Sequence, residues 1–430
     1  MNKNFFYPII LIFLLSCSFN SNSKFWTRSE NIKYETTKKI IFKEKENFSN
    51  EFNPNFKITL PKNILTRSNN LLNNDGFVDF NGTLQKISKY RYSKIKSFKN
   101  YEPEILIAKN DLIYFDSNGS ILKFDQDSNL LWKKNFYSKR DKKLQPVLFF
   151  GSQRESLFVA DTIANYYLIN KNDASILWKK RNSSSFNSQV KIYSDKAFVI
   201  DLENKLKCIS LKDGELLWTV NTENSVIRST KKQSLIIHKN TIFFNNSIGD
   251  ITAVDVESGD IIWQTPTQSS LLYRDILSLK LSDLVSDGKS IYFSNNNNQF
   301  FSIDMNIGSI NWEQKISSEL RPALVGEYIV TITDDGLLAI IEKKNGNILR
   351  INNLFKDIKK KRIPDFKPTG FIVGRQHIYL TTSNGILFTV DFKNGKIINK
   401  VRLDRNKLQR PIYLNRSIYI AKENSIIKLN

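Results

Sequence analysis

Residues 255–263 read Asp-Val-Glu-Ser-Gly-Asp-Ile-Ile-Trp, and variants of this pattern return along much of the chain. In most copies a polar turn, usually containing glycine, precedes apolar residues and a tryptophan. Five copies end in a tryptophan and two end in another residue, at Trp132, Trp178, Trp218, Trp263, Trp312, Arg350 and Asn399. Successive copies lie 38 to 49 residues apart. A repeat of roughly 40 to 50 residues is typical of the blades of a β-propeller.

Each repeat contains about four short strands. In one repeat, Ile291–Ser294 and Gln299–Ile303 form a predicted strand pair around an Asn-rich turn. A second hairpin turns at Asn306–Ser309, where Asn and Gly tolerate the positive φ that tight turns require. A four-stranded sheet with two apolar faces is not stable alone, so neighbouring sheets are expected to stack into a ring. The sequence therefore predicts an all-β fold of four-stranded antiparallel blades, with the tryptophans as wedges between blades.

The two ends of the repeat region indicate how the ring closes. Seven full repeats are followed by Ile412–Leu414, Ser417–Ala421 and Ile426–Leu429, which resemble the first half of another unit. The segment Gly76–Ile87 could supply the missing outer strands, so that both ends of the chain share one blade and no edge stays open. We therefore expect an eight-bladed β-propeller over residues 61–430, with seven blades as the alternative.

The N-terminus reads as an export signal. Lys3 is followed by an apolar run over residues 5–15, which is too short to span a bilayer, and then by Ser16 and Cys17. A small residue before a cysteine resembles the bacterial lipobox, so residues 1–16 are expected to be a lipoprotein signal peptide. Cys17 would then carry the acyl chains, such as palmitate, that anchor the protein. The alternative is an ordinary secretory signal with a chance cysteine. Ser18 favours the outer membrane by the usual sorting rule.

The composition of the remaining chain excludes several classes. Residues 17–60 are rich in Ser, Asn and Lys and are predicted to be a polar tether. Cys208 is the one cysteine beyond Cys17, so we expect no internal disulfide and a buried thiol on a strand. The net charge is +22, but the basic residues are scattered apart from the loop-like cluster Lys359–Arg362. We therefore predict no nucleic-acid partner.

Motifs for catalysis are absent from the sequence. It contains no Gly-x-Ser-x-Gly elbow, no His-Glu-x-x-His pair and no phosphate-binding glycine loop. The two histidines, His238 and His377, are far apart in the chain, so a histidine-based metal site or general base is not expected. The sequence predicts neither an enzyme nor a bound cofactor.

The repeat Asp-x-x-x-Gly-x-x-x-Trp resembles the PQQ-type propeller repeat over roughly residues 70–430. Quinoprotein dehydrogenases with this repeat carry an adjacent cysteine pair and a calcium site, and neither is evident here. A lipobox, a polar tether and about eight such blades are together similar to the BamB family, lipoproteins of the outer-membrane β-barrel assembly machinery. The resemblance implies a non-enzymatic, lipid-anchored scaffold that faces the periplasm, is a monomer within a hetero-complex and assists insertion of β-barrel proteins. The alternative is a PQQ-dependent quinoprotein dehydrogenase or another ligand-binding envelope propeller.

In the BamB family, interblade loops bind BamA, and two loop patterns are matched in this sequence. Residues 225–228 read Ser-Val-Ile-Arg, where the family has apolar-x-apolar-Arg, and residues 280–283 read Lys-Leu-Ser-Asp, where it has Arg-Leu-Ser-Asp. The resemblance implies partner-binding roles for Ile227, Arg228, Leu281 and Asp283. An arginine beside an apolar anchor is the usual composition of a binding hot spot. The alternatives are solvated loops and, for Asp283, a side chain that holds a local turn.

Overall fold

The computed structural model of the protein describes residues 51–58, 74, 76–99, 102, 104–108, 110–222, 231–268, 279–358 and 366–430. The predicted signal peptide, Cys17 and the basic cluster Lys359–Arg362 lie outside the described residues, as do Ile227 and Arg228. Thirty-two strands, β1 to β32, form eight separate four-stranded antiparallel sheets, which we name blades A to H.

Blades A to D follow one another along the chain, and each begins with its innermost strand. Blade A contains β2 (Leu106–Ala108), β3 (Asp111–Phe115), β4 (Ile121–Phe124) and β5 (Leu130–Lys134). Blade B contains β6 (Leu148–Gln153), β7 (Ser156–Asp161), β8 (Asn165–Asn170) and β9 (Ile176–Arg181). Blade C contains β10 (Lys191–Tyr193), β11 (Lys196–Ile200), β12 (Lys205–Ser210) and β13 (Leu216–Asn221). Blade D contains β14 (Leu235–His238), β15 (Thr241–Asn245), β16 (Ile251–Asp255) and β17 (Ile261–Thr265).

Blades E to G keep this order, and blade H combines both ends of the chain. Blade E contains β18 (Val285–Ser286), β19 (Ser290–Ser294), β20 (Phe300–Asp304) and β21 (Ile310–Gln314). Blade F contains β22 (Ala323–Val325), β23 (Tyr328–Ile332), β24 (Leu337–Glu342) and β25 (Ile348–Asn353). Blade G contains β26 (Pro368–Val373), β27 (His377–Thr382), β28 (Ile386–Asp391) and β29 (Ile397–Arg402). Blade H contains β30 (Ile412–Leu414), β31 (Ser417–Lys422), β32 (Ser425–Leu429) and β1 (Lys86–Arg91).

The described residues also contain two short helices. A 3-10 turn spans Lys96–Lys99 between blades H and A, and α1 spans Lys139–Lys143 between blades A and B. Among the described residues, none of the helices has the length and apolar character needed to cross a membrane.

The ring closes by pairing the two ends of the chain in blade H. The outermost strand β1 runs antiparallel to β32, with Tyr90 opposite Ile426. This confirms the predicted eight blades and the shared last blade. The prediction that Gly76–Ile87 supplies the outer strands of this blade was largely wrong. The strand that pairs begins only at Lys86, and the N-terminal part contributes this one strand to the blade. Gly76 and Val78 instead bond to Val373 of the inner strand β26, over 3.2 and 2.9 Å.

Seven of the eight blade junctions have a side chain of the outermost strand that donates to a carbonyl of the next blade. The indole Nε1 atoms of the five repeat tryptophans donate to Lys171, Leu211, Val256, Met305 and Lys343, over 2.9 to 3.2 Å. The turn glycine of the next blade makes room for the ring. Gly308 has φ +73°, and a Cβ there would lie 2.6 Å from Trp263. The tryptophans are therefore half-buried wedges that also form a bond between blades.

Arg350 and Tyr90 occupy the corresponding place at two other junctions. Arg350 Nη2 donates to Phe392 O over 2.7 Å, which joins blade F to blade G. The Tyr90 hydroxyl donates to Gln126 O over 3.0 Å, which joins blade H to blade A. Asn399 is exposed, and blades G and H meet instead through a core that includes Leu387 and Ile420. The junctions that follow Arg350 and Asn399 are thus packed differently from the tryptophan junctions, as the sequence predicts.

A β-bulge interrupts the outermost strand of every blade from A to G just before this junction residue. In blade C, Ile209 faces Leu216 while Cys208 faces Trp218, so Leu217 is extra. Leu216 and Leu217 are each 48% exposed as a result. Bulges twist an edge strand away from further pairing, which protects the outer edges of these seven blades from aggregation. Cys208 itself is fully buried, and burial raises the pKa of its thiol to about 12.

Polar side chains at the end of the second strand shape the hairpin that follows. Asp161 Oδ1, for example, accepts from the backbone N–H groups of Ile163 and Asn165, both over 2.8 Å. The same position accepts backbone N–H groups in the other blades from A to G, at Asp116, Asp201, Asn246, Asn295, Thr333 and Thr382. These turns are local Asx and Thr motifs that fix the strand register from within each repeat.

Candidate partner-binding site at the channel mouth

The innermost strands surround the central channel that a propeller ring leaves along its axis. In each antiparallel blade, the connection from the previous outermost strand arrives at the end where the innermost strand begins. One end of the channel therefore collects all of these interblade connections, and we call it the channel mouth. It carries a ring of polar side chains at one repeat position, two residues before the innermost strand: Glu104, Gln189, Gln233, Asp283, Arg321 and Arg410.

Three members of this ring and one neighbour form a buried ion-pair network. Arg321 Nε donates to Asp283 Oδ2 over 2.7 Å, and its Nη2 donates to Glu104 Oε1 over 2.8 Å. Lys232 Nζ adds a third contact, 2.7 Å from Glu104 Oε1. The Arg321 side chain is only 2% exposed. Four blades, A, D, E and F, are thereby tied together at the mouth.

Further charges surround this network. Lys231 Nζ lies 2.8 Å from Glu102 Oε1, and Glu319 accepts Lys280 over 3.3 Å and Lys367 over 3.5 Å. A cavity of about 50 Å³ lies among these side chains, lined also by Thr369 and Ile412. This volume holds a few water molecules, whereas small-molecule sites usually occupy about 300 Å³ or more.

The network keeps its acids ionised. Burial alone would raise the pKa of Glu104, but Lys232 and Arg321 hold it down to about 2. Burial also opposes ionisation of Asp283, and Arg321 and Lys232 nevertheless hold the pKa of that carboxyl well below its usual range. Removing one partner from such a group typically costs about 3 to 5 kcal/mol, because the remaining charge is left buried and unpaired.

Asn74, from the N-terminal part of the chain, bonds to residues of the mouth. Asn74 is fully buried, and its Nδ2 donates to Leu284 O over 2.9 Å and to Gln189 Oε1 over 3.1 Å. Lys191 Nζ donates in turn to Asn74 Oδ1 over 2.6 Å. Burial lowers the pKa of Lys191 to about 7. Asn74 therefore bridges the inner parts of blades C and E, and Gly76–Phe80 continues beside β26.

Two of the four residues predicted to bind a partner lie at this mouth. Leu281 is buried, pairs with Asn295 and packs in the core between blades D and E. Asp283 is buried and bonds Arg321 rather than a local turn. The Oδ1 atom of Asp283 is buried and has no hydrogen-bond partner within the described part of the chain. Reversing its charge would place two cations together, so it would perturb the fold as well as an interface.

Sequence reasoning missed Glu104, Arg321, Lys231, Lys232 and Asn74. The partners are far apart in the chain, and no local motif joins Glu104 to Arg321. A usable signal did exist, because Glu104, Asp283 and Arg321 hold the same position in three repeats. Aligning the repeats position by position would have placed these opposite charges at one end of the ring.

The fold and the mouth define an eight-bladed propeller built from PQQ-like repeats, with a charged channel mouth. A family model described as outer membrane protein assembly factor BamB matches residues 117–352, which is more than half of the chain. The chain therefore belongs to the BamB family, as the resemblance in its sequence indicates.

Comparison with solved structures supports the same fold. BamB from Moraxella catarrhalis is 15% identical, with a TM-score of 0.65 over 81% of this chain and 100% of that one. A europium-containing methanol dehydrogenase is 10% identical, with a TM-score of 0.64 over 84% of this chain and 90% of that one. Quinohemoprotein alcohol dehydrogenase from Comamonas testosteroni is 9% identical, with a TM-score of 0.63 over 84% and 80%. No curated protein matches. At these identities the structural likeness shows the fold alone.

Proposed function

We propose that the protein is a non-enzymatic scaffold of the outer-membrane β-barrel assembly machinery. It binds BamA through the interblade connections of the channel mouth and assists insertion of β-barrel proteins. Acyl chains on Cys17 anchor it to the outer membrane, with the propeller in the periplasm. The observation that carries this proposal is membership of the BamB family in a chain whose mouth bears the matched segment Lys280–Asp283.

The geometry of the mouth supports a protein partner. Its surface combines several buried or half-buried charges of both signs in fixed positions, a pattern that gives specificity to protein interfaces. The connection 223–230, which contains Ile227 and Arg228, leads directly into Lys231 and Lys232 of the same mouth.

A quinoprotein dehydrogenase is the second candidate, because two such enzymes share the fold. The cavity of about 50 Å³ at the mouth is too small for a quinone cofactor, which favours the scaffold. Titration with the quinone would separate the two, since a dehydrogenase binds it and reduces a dye in its presence, whereas a scaffold does neither.

Co-purification of BamA from detergent-solubilised membranes tests the proposal. We expect Arg228→Glu to reduce capture of BamA at least about tenfold, which corresponds to the loss of about 1.4 kcal/mol or more at a hot spot. Lys344→Glu is the matched control, because Lys344 is exposed on a hairpin of blade F at the opposite end of the ring. If the unmodified protein captures no BamA, the assignment fails. If Arg228→Glu binds as well as Lys344→Glu, the interface is elsewhere.

A further inference from the structure

Charge is divided unevenly around the outer edge of the ring. The outermost strands of blades G, H, A and B are β29, β1, β5 and β9, and we call them the basic rim. These four strands contain no Asp or Glu and ten basic residues: Lys400, Arg402, Lys86, Lys89, Arg91, Lys133, Lys134, Lys179, Lys180 and Arg181. The outermost strands of blades C to F contain only Glu313 and the fully buried Arg350 as charged residues.

The basic rim is continuous over half of the ring. Blades G and H share a core, Tyr90 joins blade H to blade A, and Trp132 joins blade A to blade B. Helix α1 adds Lys139, Arg140, Lys142 and Lys143 at the connection between blades A and B, with one acid, Asp141. Leu144, next to this helix, is 61% exposed. The positive surface therefore extends from the strands onto a neighbouring connection.

Part of this charge has no neutralising partner. Lys133 pairs with Asp116 over 2.7 Å, and Lys180 pairs with Glu215. Lys86, Arg91, Lys134 and Arg181 are exposed, and no side-chain hydrogen bond or ion pair joins any of them to another described residue. Like charges gathered on one surface repel one another, so contact with a negatively charged surface lowers their electrostatic free energy.

Apolar side chains lie among these charges. The bulged strands expose about half of Leu130, Leu131, Ile176 and Leu177, and Ile87 of β1 is 52% exposed. Similar pairs, such as Ile261 and Ile262, are exposed on the uncharged half of the ring. The charge, not the apolar surface, thus distinguishes the basic rim. Basic residues combined with exposed leucine and isoleucine are typical of surfaces that bind at the headgroup level of a membrane.

We propose that the basic rim binds the anionic phospholipid headgroups of a bilayer. The charge repeats over four blades without a shaped pocket, which suits a diffuse array of anionic headgroups better than a folded partner. The place where the N-terminal part joins the ring agrees with this. Phe52 pairs with Ile351 at the outer edge of blade F, next to blade G, so the described part of the chain starts beside the basic rim, with Cys17 upstream in the sequence. This last argument rests on the proposed anchor, whereas the charge pattern does not.

Vesicle binding by the full chain tests the proposal, with Cys17→Ser in every sample so that no acyl chain contributes. The vesicles are phosphatidylcholine alone or with about 30% phosphatidylglycerol, and the salt is about 0.05 or 0.5 M. The rim variant combines Lys86→Gln, Arg91→Gln, Lys134→Gln and Arg181→Gln. The control variant combines Lys212→Gln, Lys239→Gln, Lys289→Gln and Lys344→Gln, four exposed hairpin residues of blades C to F, and has the same net charge.

We expect the parent to prefer the anionic vesicles and to lose this preference in high salt. The rim variant should bind anionic vesicles at least about tenfold more weakly than the control, since it lacks four basic residues that would lie near the anionic surface. Equal binding by the two variants would overturn the proposal. So would a parent without preference for the anionic vesicles, which would leave an acidic protein as the occupant. Because the salt arm uses the parent alone, it does not depend on how the variants fold. Failure to capture BamA would leave this result untouched.

Discussion

Replacing Arg350 by alanine should destabilise the propeller by about 3 to 5 kcal/mol. The side chain is fully buried and donates to Phe392 O over 2.7 Å, to Lys393 O over 2.5 Å and to Phe56 O over 3.1 Å. Burial lowers its pKa to about 10, so it remains charged at neutral pH. A hydrogen bond from a charged group contributes about 1.5 to 3 kcal/mol. Three such bonds together contribute more than the predicted loss of about 3 to 5 kcal/mol. The net loss is smaller because the alanine variant no longer has to desolvate a guanidinium group.

Two further substitutions at this position sharpen the test. Arg350→Lys keeps the charge but not the fork that reaches three carbonyls, so it should lose most of the stability. Arg350→Trp restores the residue of the other repeats and the bond to Phe392 O, and should be the mildest of the three. Urea unfolding followed by tryptophan fluorescence and circular dichroism measures these differences. An alanine variant within about 1 kcal/mol of the parent, or a tryptophan variant worse than alanine, would refute the assignment of this junction.

Three other predictions concern a blade junction, the charged mouth and the anchor. Trp263→Ala should lower the free energy of unfolding by about 2 to 3 kcal/mol, which is less than for a fully buried aromatic residue because the ring is only half-buried. The control Leu217→Ala, at an exposed position, should lower it by less than about 0.5 kcal/mol. Equal effects of the two substitutions in urea unfolding would contradict the role of Trp263 as a wedge between blades. The folded-state pKa of Glu104 is depressed, so its stabilisation is present above about pH 4.5 and is lost as pH falls towards about 2. Glu104→Gln should make the free energy of unfolding depend less on pH between about 4.5 and 2. An unchanged dependence would mean that other carboxylates cause the loss of stability in acid. Cys17→Ala should abolish metabolic palmitate labelling, and label that persists would place the acyl chains elsewhere.

The repeat pattern predicted most of the architecture because each blade is a local unit. Spacing, turn residues and the junction tryptophans all recur within about 50 residues, so a single sequence displays them several times. Even the exceptions were informative. Arg350 and Asn399 correctly indicated two unusual junctions, although nothing local showed that a guanidinium would bond the carbonyl position used by an indole.

The closing strand was misplaced for a physical reason. Phe77, Val78 and Phe80 read as an apolar strand, and they are buried, but against the inner part of blade G. The true edge strand, Lys86–Arg91, is basic and mostly exposed, because an outermost strand needs backbone pairing on one side only. Apolar alternation therefore identifies buried segments and not the partner to which they pair.

The charged mouth could not be predicted from local sequence patterns. Leu281 and Asp283 were singled out through a family pattern, and both lie at the mouth, but their burial was not foreseen. Arg321 and Glu104 meet through ring closure, which brings together residues more than two hundred positions apart. Such contacts follow from topology and not from spacing.

Closure through β1 also sets the order in which this molecule can fold. Lys86–Arg91 pairs with Ser425–Leu429, the last of the described strands, so the ring cannot close until that strand has been synthesised. Asn74 bonds to blades C to E, so its contacts also form only once these blades are in place. Pairing across such a separation is slow, because loop-closure entropy is lost before the contacts form. The chain therefore passes first through an open arc of blades whose two ends are not yet paired.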